Sequence, residues 1–146
     1  MPVPPRGTVR NTGGAAVTSG LRFFPEVWWE GTDPNEVPGW YPICGHYFWD
    51  NNDGAIIACQ ALLGGSGCTS GNRHVPTPYE SHTTDAIYVG KCNYGDPGLW
   101  ACSGSGGYNS WDSFQGPDGN CRAGQGGGSG NRIQITCNSG CTAPSS

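Results

Sequence analysis

The chain has 146 residues, the length of one ordinary domain, with Gly 26 and Pro 12 against only 35% hydrophobic and 12% charged residues. That composition implies many turns around a small core, while Trp 6, Tyr 6 and Phe 4 argue against a disordered chain. The net charge is −4, and Arg6, Arg10, Arg22, Arg73, Arg122 and Arg132 are scattered, so the basic stripe of a nucleic-acid-binding domain is missing.

Residues 1–7 are proline-rich and lack the apolar stretch of a signal peptide; they read as a linker remnant with an added Met1. No run approaches transmembrane length. Thr8-Val9-Arg10 is a short strand signal, followed by a turn at Gly13-Gly14. Leu21 to Trp29 is rich in β-formers, and Pro25 within it suggests an edge strand or a bulge. Glu30 to Gly39 reads as a long turn, and Trp40 to Cys44 as a further short strand.

The one helix signal follows. Asp50-Asn51-Asn52-Asp53 offers N-cap oxygens, and carboxylates suit the positive helix end. Ile56, Cys59 and Leu63 recur with helical spacing, Ile57 and Leu62 widen the stripe, and Gly64-Gly65 ends it. Residues 66–84 read as polar loop, Ala86 to Val89 as a strand, and 103–130 as a glycine-rich stretch. Arg132 to Cys137 alternates polar and apolar residues and is the cleanest strand signal. Thr142 to Ser146 reads as a linker stub, which leaves 8–141 as the domain.

The eight cysteines are Cys44, Cys59, Cys68, Cys92, Cys102, Cys121, Cys137 and Cys141. No C-x-x-C knuckle supports zinc, and reduced core cysteines are rarely this dense. Disulfides are therefore expected, and with them a secreted or cell-surface location. Each bridge contributes about 2–4 kcal/mol, which helps to offset the entropy of ordering a glycine-rich backbone. No Asn-x-Ser/Thr sequon is present, so N-glycosylation is not expected.

Taken in order, these features resemble a scavenger receptor cysteine-rich domain. The resemblance rests on Val9-Arg10 with Gly13-Gly14, Gly20 to Phe24, Trp40 to Cys44, and the helix segment Trp49 to Gly64. Its most specific part is Cys92, Asp96, Leu99 and Cys102 in register, followed by Cys121 and the strand ending at Cys137. It implies an α+β fold: a small disulfide-rich domain with a curved antiparallel sheet of short strands packed around one α-helix, and long loops. It also implies bridges Cys44–Cys121, Cys59–Cys137 and Cys92–Cys102, leaving Cys68 and Cys141 as an added pair. The family's usual Ca²⁺ carboxylates are replaced here by Gly45 and His46, so no family-type metal site is expected. Asp50 and Asp53 are read first as helix-capping residues and second as candidates for a weak cation site. No other cofactor is expected.

The expected function is extracellular recognition of a protein or glycan, as part of a secreted or membrane-anchored mosaic protein. A structural or adhesive matrix module is the alternative, and a secreted hydrolase a more distant one. His46, His74 and His82 sit in no recognisable nucleophile motif and read as solvated loop residues. No carboxylate pair or phosphate-binding glycine motif stands out. Trp28, Trp29, Trp40, Tyr47, Phe48, Tyr108 and Trp111 are many rings for so small a core. Rings exposed together would form a sugar-stacking or protein-contact surface. The candidate ligand residues are Tyr108, Trp111, Arg122 and Arg73.

Overall fold

Short β-rich runs and one helix signal condense into two sheets with a helix between them. The computed structural model describes residues 4–5, 7–29, 37–45, 47–63, 70–75, 86–104 and 132–138. The strands are β1 (Val9–Asn11), β2 (Arg22–Phe23), β3 (Pro25–Trp29), β4 (Gly39–Pro42), β5 (Gly71–His74) and β6 (Gln134–Cys137), and the helix is α1 (Asp53–Leu63). The fold is the expected small, disulfide-rich α+β domain. Its strands are shared between two antiparallel three-stranded sheets, ordered β1-β3-β4 and β2-β6-β5.

Period-two alternation decides which side of the first sheet is buried. Val9, Pro25, Val27 and Trp29 face inward, and Arg10, Glu26 and Trp28 face outward. The run Leu21 to Trp29 does not form one strand. Phe24 separates β2 from β3, and Pro25 opens β3 in the other sheet, so the proline marks a change of sheet. The break is held from outside the run: the Thr12 N–H and hydroxyl both donate to the Phe24 carbonyl, at 3.2 and 2.8 Å. β3 is thus a central strand, neither the edge strand nor the bulge that Pro25 suggested. A proline at the first strand position interrupts no interior rung of the ladder. Pairing also continues before residue 8, where the Gly7 N–H donates to the Trp28 carbonyl at 2.9 Å.

The helix begins where its asparagines predict, but the capping oxygen is not a carboxylate. Asn51 Oδ1 accepts from the Asp53 N–H at 3.0 Å, and the Asn52 carbonyl accepts from the Ile56 N–H at 3.0 Å. Asp50 closes a 3-10 turn (Phe48–Asp50), and Asp53 contributes its charge to the first helical turn. Gly54 to Cys59 are all buried, so the first half of the helix is enclosed on every side instead of presenting a single stripe. Gly54 makes this possible. A Cβ there would lie 2.4 Å from the Phe48 ring, which is itself fully buried.

β5 falls inside the stretch expected to be loop. Gly-Asn-Arg-His carries no β-forming residue, and the segment becomes a strand because β6 pairs with it from Gly71↔Cys137 to His74↔Gln134. Gly71 lets the strand approach the helix, since a Cβ would stand 3.2 Å from the Thr136 carbonyl oxygen and 3.4 Å from Ala55 backbone atoms. Ala86 to Val89 is buried but joins neither sheet. It makes one parallel bridge, Ile43↔Ile87, in which the Ile87 N–H donates to Pro42 at 2.8 Å and its carbonyl accepts from Cys44 at 2.9 Å.

Two described disulfides staple this frame, and both join pairs implied by the resemblance. Cys59–Cys137 ties α1 to β6 across 78 residues, with Cα atoms 5.7 Å apart. Cys92–Cys102 closes a loop of separation 10 with Cα atoms 4.2 Å apart. Inside that loop, Asp96 accepts from the Asn93 N–H at 2.8 Å, the Ser103 N–H at 3.0 Å and the Ser103 hydroxyl at 2.9 Å. Asp96 is therefore the internal brace of the loop. Cys44 is also disulfide-bonded. Cys68, Cys121 and Cys141 lie outside the described residues, and so do the expected pairs Cys44–Cys121 and Cys68–Cys141.

Candidate functional site

The outward face of the first sheet carries a cluster that the core does not use. Register places Arg10, Glu26 and Pro42 in one cross-strand row and Trp28 opposite Trp40 in the next. All five side chains are half-buried. Arg10 Nε donates to Glu26 Oε1 at 2.9 Å, and the same oxygen accepts from the Gly13 N–H at 3.2 Å. The Arg10 guanidinium carbon lies 4.1 Å from the Trp40 ring centroid. Trp40 in turn meets Trp28 edge-on, with centroids 5.4 Å apart and planes at 70°.

A single ion pair at the surface, even a half-buried one such as Arg10–Glu26, contributes little to stability by itself. Stacking of the cation on an indole adds about 0.5–1 kcal/mol at such a site, and the edge-on aromatic pair about 0.5–1.5 kcal/mol. The group is thereby held in place on paired strands. It presents apolar ring surface beside one cation and one anion, which suits contact with a sugar ring or an apolar side chain. Trp28 Nε1 is buried and has no hydrogen-bond partner among the described residues. An indole N–H so placed forgoes about 1–3 kcal/mol.

The second sheet has a different outer face. Arg22, Thr136 and Asn72 form one cross-strand row, and His74 and Gln134 the next. His74 Nε2 lies 3.0 Å from Thr136 Oγ1. Burial, then the nearby Arg22 and Arg73 charges, hold the imidazole below its usual range. His74 is thus a half-buried strand residue with a partner, which corrects its reading as a solvated loop histidine. His46 and His82 lie outside the described residues.

Of the candidate ligand residues, Tyr108, Trp111 and Arg122 lie outside the described residues. Arg73 is described, and it points to the helix side of β5. Its Nε donates to the Trp49 carbonyl at 2.9 Å and its Nη1 to Asn52 Oδ1 at 3.0 Å. Two of its donors are thereby used within the fold. Among the seven rings singled out in the sequence, Trp29 and Phe48 belong to the core. Tyr47 packs against the small cluster of Cys44, Ala86 and Tyr88, while Trp28 and Trp40 form the outer platform. Asp50 and Asp53 join no metal-binding group: among the described residues, no cluster of three His, Cys, Asp or Glu side chains is placed to hold an ion.

Arg10 and Glu26 were not singled out in the sequence. They alternate with the buried Val9 and Val27, which is a signal that they face outward, but only the β1–β3 register sets them opposite each other. Among the described residues, no helix is long and apolar enough to cross a membrane. Compared with protein-family models, with curated protein sequences and with solved structures, the chain matches none.

Proposed function

We propose that this chain is an extracellular recognition module that binds a protein or glycan through the outer face of β1, β3 and β4. The carrying observation is the Arg10–Trp40–Trp28 arrangement, in which two indoles and a guanidinium are fixed outside the core. Tryptophan and arginine are the residues most enriched at energetic centres of protein interfaces, and indole faces also stack on sugars. Disulfides support an oxidising compartment outside the cell. The order of cysteines and motifs that resembles a scavenger receptor cysteine-rich domain supports a place in a secreted or cell-surface mosaic protein.

On this reading the module binds its ligand without transforming it. A glycan array and an extracellular-protein array, each probed with wild type and with Trp40→Ala, test the proposal. The expected result is a ligand signal lost in Trp40→Ala while the protein still unfolds cooperatively, its thermal midpoint lowered by no more than the lost ring contacts with Arg10 and Trp28 account for. Equal signals from the two proteins would place the contact elsewhere. Concentration-dependent self-association with no array signal would favour an adhesive matrix module, and hydrolysis of a bound ligand would favour an enzyme.

A further inference from the structure

We infer that the outer face of the second sheet holds a site for a single oxyanion, a carboxylate or sulfate group, seated over Thr136 between Arg22, Asn72 and His74. This site is separate from the aromatic face of the first sheet and does not depend on it. Arg22 is exposed, and among the described residues no carboxylate pairs with it. In a chain with Asp+Glu 11 against Lys+Arg 7, a guanidinium left unpaired beside a histidine is a local reversal of the overall charge.

The register supplies the rest of the site. Arg22 and Asn72 flank Thr136 on the two neighbouring strands. Strands in a sheet lie about 4.8 Å apart, so donors from three adjacent strands converge on one group above the middle strand. Asn72 makes no side-chain hydrogen bond among the described residues, so its amide is available. Arg22 offers a planar fork that matches the geometry of a carboxylate or sulfate.

The contact between His74 Nε2 and Thr136 Oγ1, at 3.0 Å, sets the hydroxyl's direction. With a neutral imidazole whose Nε2 accepts, the Thr136 hydroxyl spends its proton on the histidine. When His74 takes up a proton, Nε2–H donates to Thr136 Oγ1 instead, and the hydroxyl proton is released toward the anion. From that tautomer, protonation adds one positive charge and one donor together. The charged groups acting on His74 are Arg22 from β2 and Arg73 from its own strand; Thr136 and Gln134 face it from β6. Among the described residues, no carboxylate is among the causes of its shift.

The test is NMR titration of the His74 imidazole with inorganic sulfate and with acetate, at constant ionic strength, at pH 5.5 and pH 7.5. Saturable shifts with either anion, at least fivefold tighter at the lower pH, support the site, and the tighter anion names the preferred group. Arg22→Gln should weaken binding at least fivefold, while Lys91→Gln, which removes one positive charge elsewhere, should leave it unchanged. Wild-type affinity in Arg22→Gln overturns the site. So does equal weakening in Lys91→Gln, because a general field effect would then suffice.

Discussion

Arg73 Nη1 and Asn52 Oδ1 lie 3.0 Å apart, and the same oxygen accepts the Arg73 backbone N–H at 3.1 Å. One asparagine oxygen at the start of the helix thus anchors both the main chain and the side chain of the edge strand β5. The arrangement has two consequences. The oxygen best placed to cap the helix serves the strand, and Asn51 takes over a capping bond. The free backbone donor of an edge strand is also occupied, which removes one invitation to pair with another chain.

Asn52→Ala should therefore destabilise the fold by about 1–3 kcal/mol, because it leaves a half-buried N–H and guanidinium short of an acceptor. Arg73→Ala should cost a similar amount. The double variant should cost less than the sum, since both substitutions remove the same contacts. Chemical denaturation of the four proteins checks this.

Gly54→Ala sets two effects against each other. Alanine favours a helix over glycine by about 1 kcal/mol, but its Cβ would lie 2.4 Å from the buried Phe48 ring. Overpacking costs about 1–3 kcal/mol, so a net loss of stability is expected. Phe48→Leu in the same chain should absorb part of that loss, and a double-mutant cycle by thermal unfolding measures the coupling.

The two described bridges should differ in effect. Replacing both Cys59 and Cys137 by serine releases a 78-residue separation, worth about 4.5 kcal/mol in chain entropy. Replacing both Cys92 and Cys102 releases a separation of 10, worth about 3 kcal/mol. Denaturation midpoints should fall in that order. Peptide mapping under non-reducing conditions should also recover Cys44 with Cys121 and Cys68 with Cys141; a Cys92–Cys121 peptide would contradict the set.

His74 makes stability depend on pH in a defined direction. Its folded-state pKa is held below the ordinary 6.5, by burial first and then by Arg22 and Arg73. The unfolded chain therefore binds the proton more readily, and acid favours unfolding. The contribution of this group should be fully present above pH 6.5 and should decline as pH falls through 6.5 toward the lower folded value. His74→Gln should flatten that part of the profile in equilibrium unfolding measured between pH 7.5 and 5.

Several elements were legible in the sequence because their signal is local. The strand at Gln134–Cys137 lies where the alternating residue types place it, although Ile135, Thr136 and Cys137 are all buried; the helix opens at its asparagines, and buried Val9 and Val27 alternate with half-buried neighbours. The outward placement of Arg10 and Glu26 follows from the same alternation. What remained hidden depends on residues far apart in the chain. Gly71–His74 has no strand propensity and becomes a strand only by pairing with β6, which follows it by 60 to 66 positions. The role of Pro25 as a change of sheet, rather than a bulge, depends on two different partners for β2 and β3.

The same division holds for function. Residue types and alternation determined that this is a small, disulfide-stapled α+β domain with more aromatic rings than its core consumes. Tertiary structure alone decided which rings and charges meet. Trp28 and Trp40 lie twelve positions apart, and Arg10 reaches Trp40 only through the shared neighbour β3. Arg73, a candidate ligand residue in the sequence, turned inward to the helix, and His74 turned outward beside Arg22. The physical reason is that alternation along a strand fixes only which side a residue takes, while cross-strand register, set by contacts distant in sequence, fixes its neighbours.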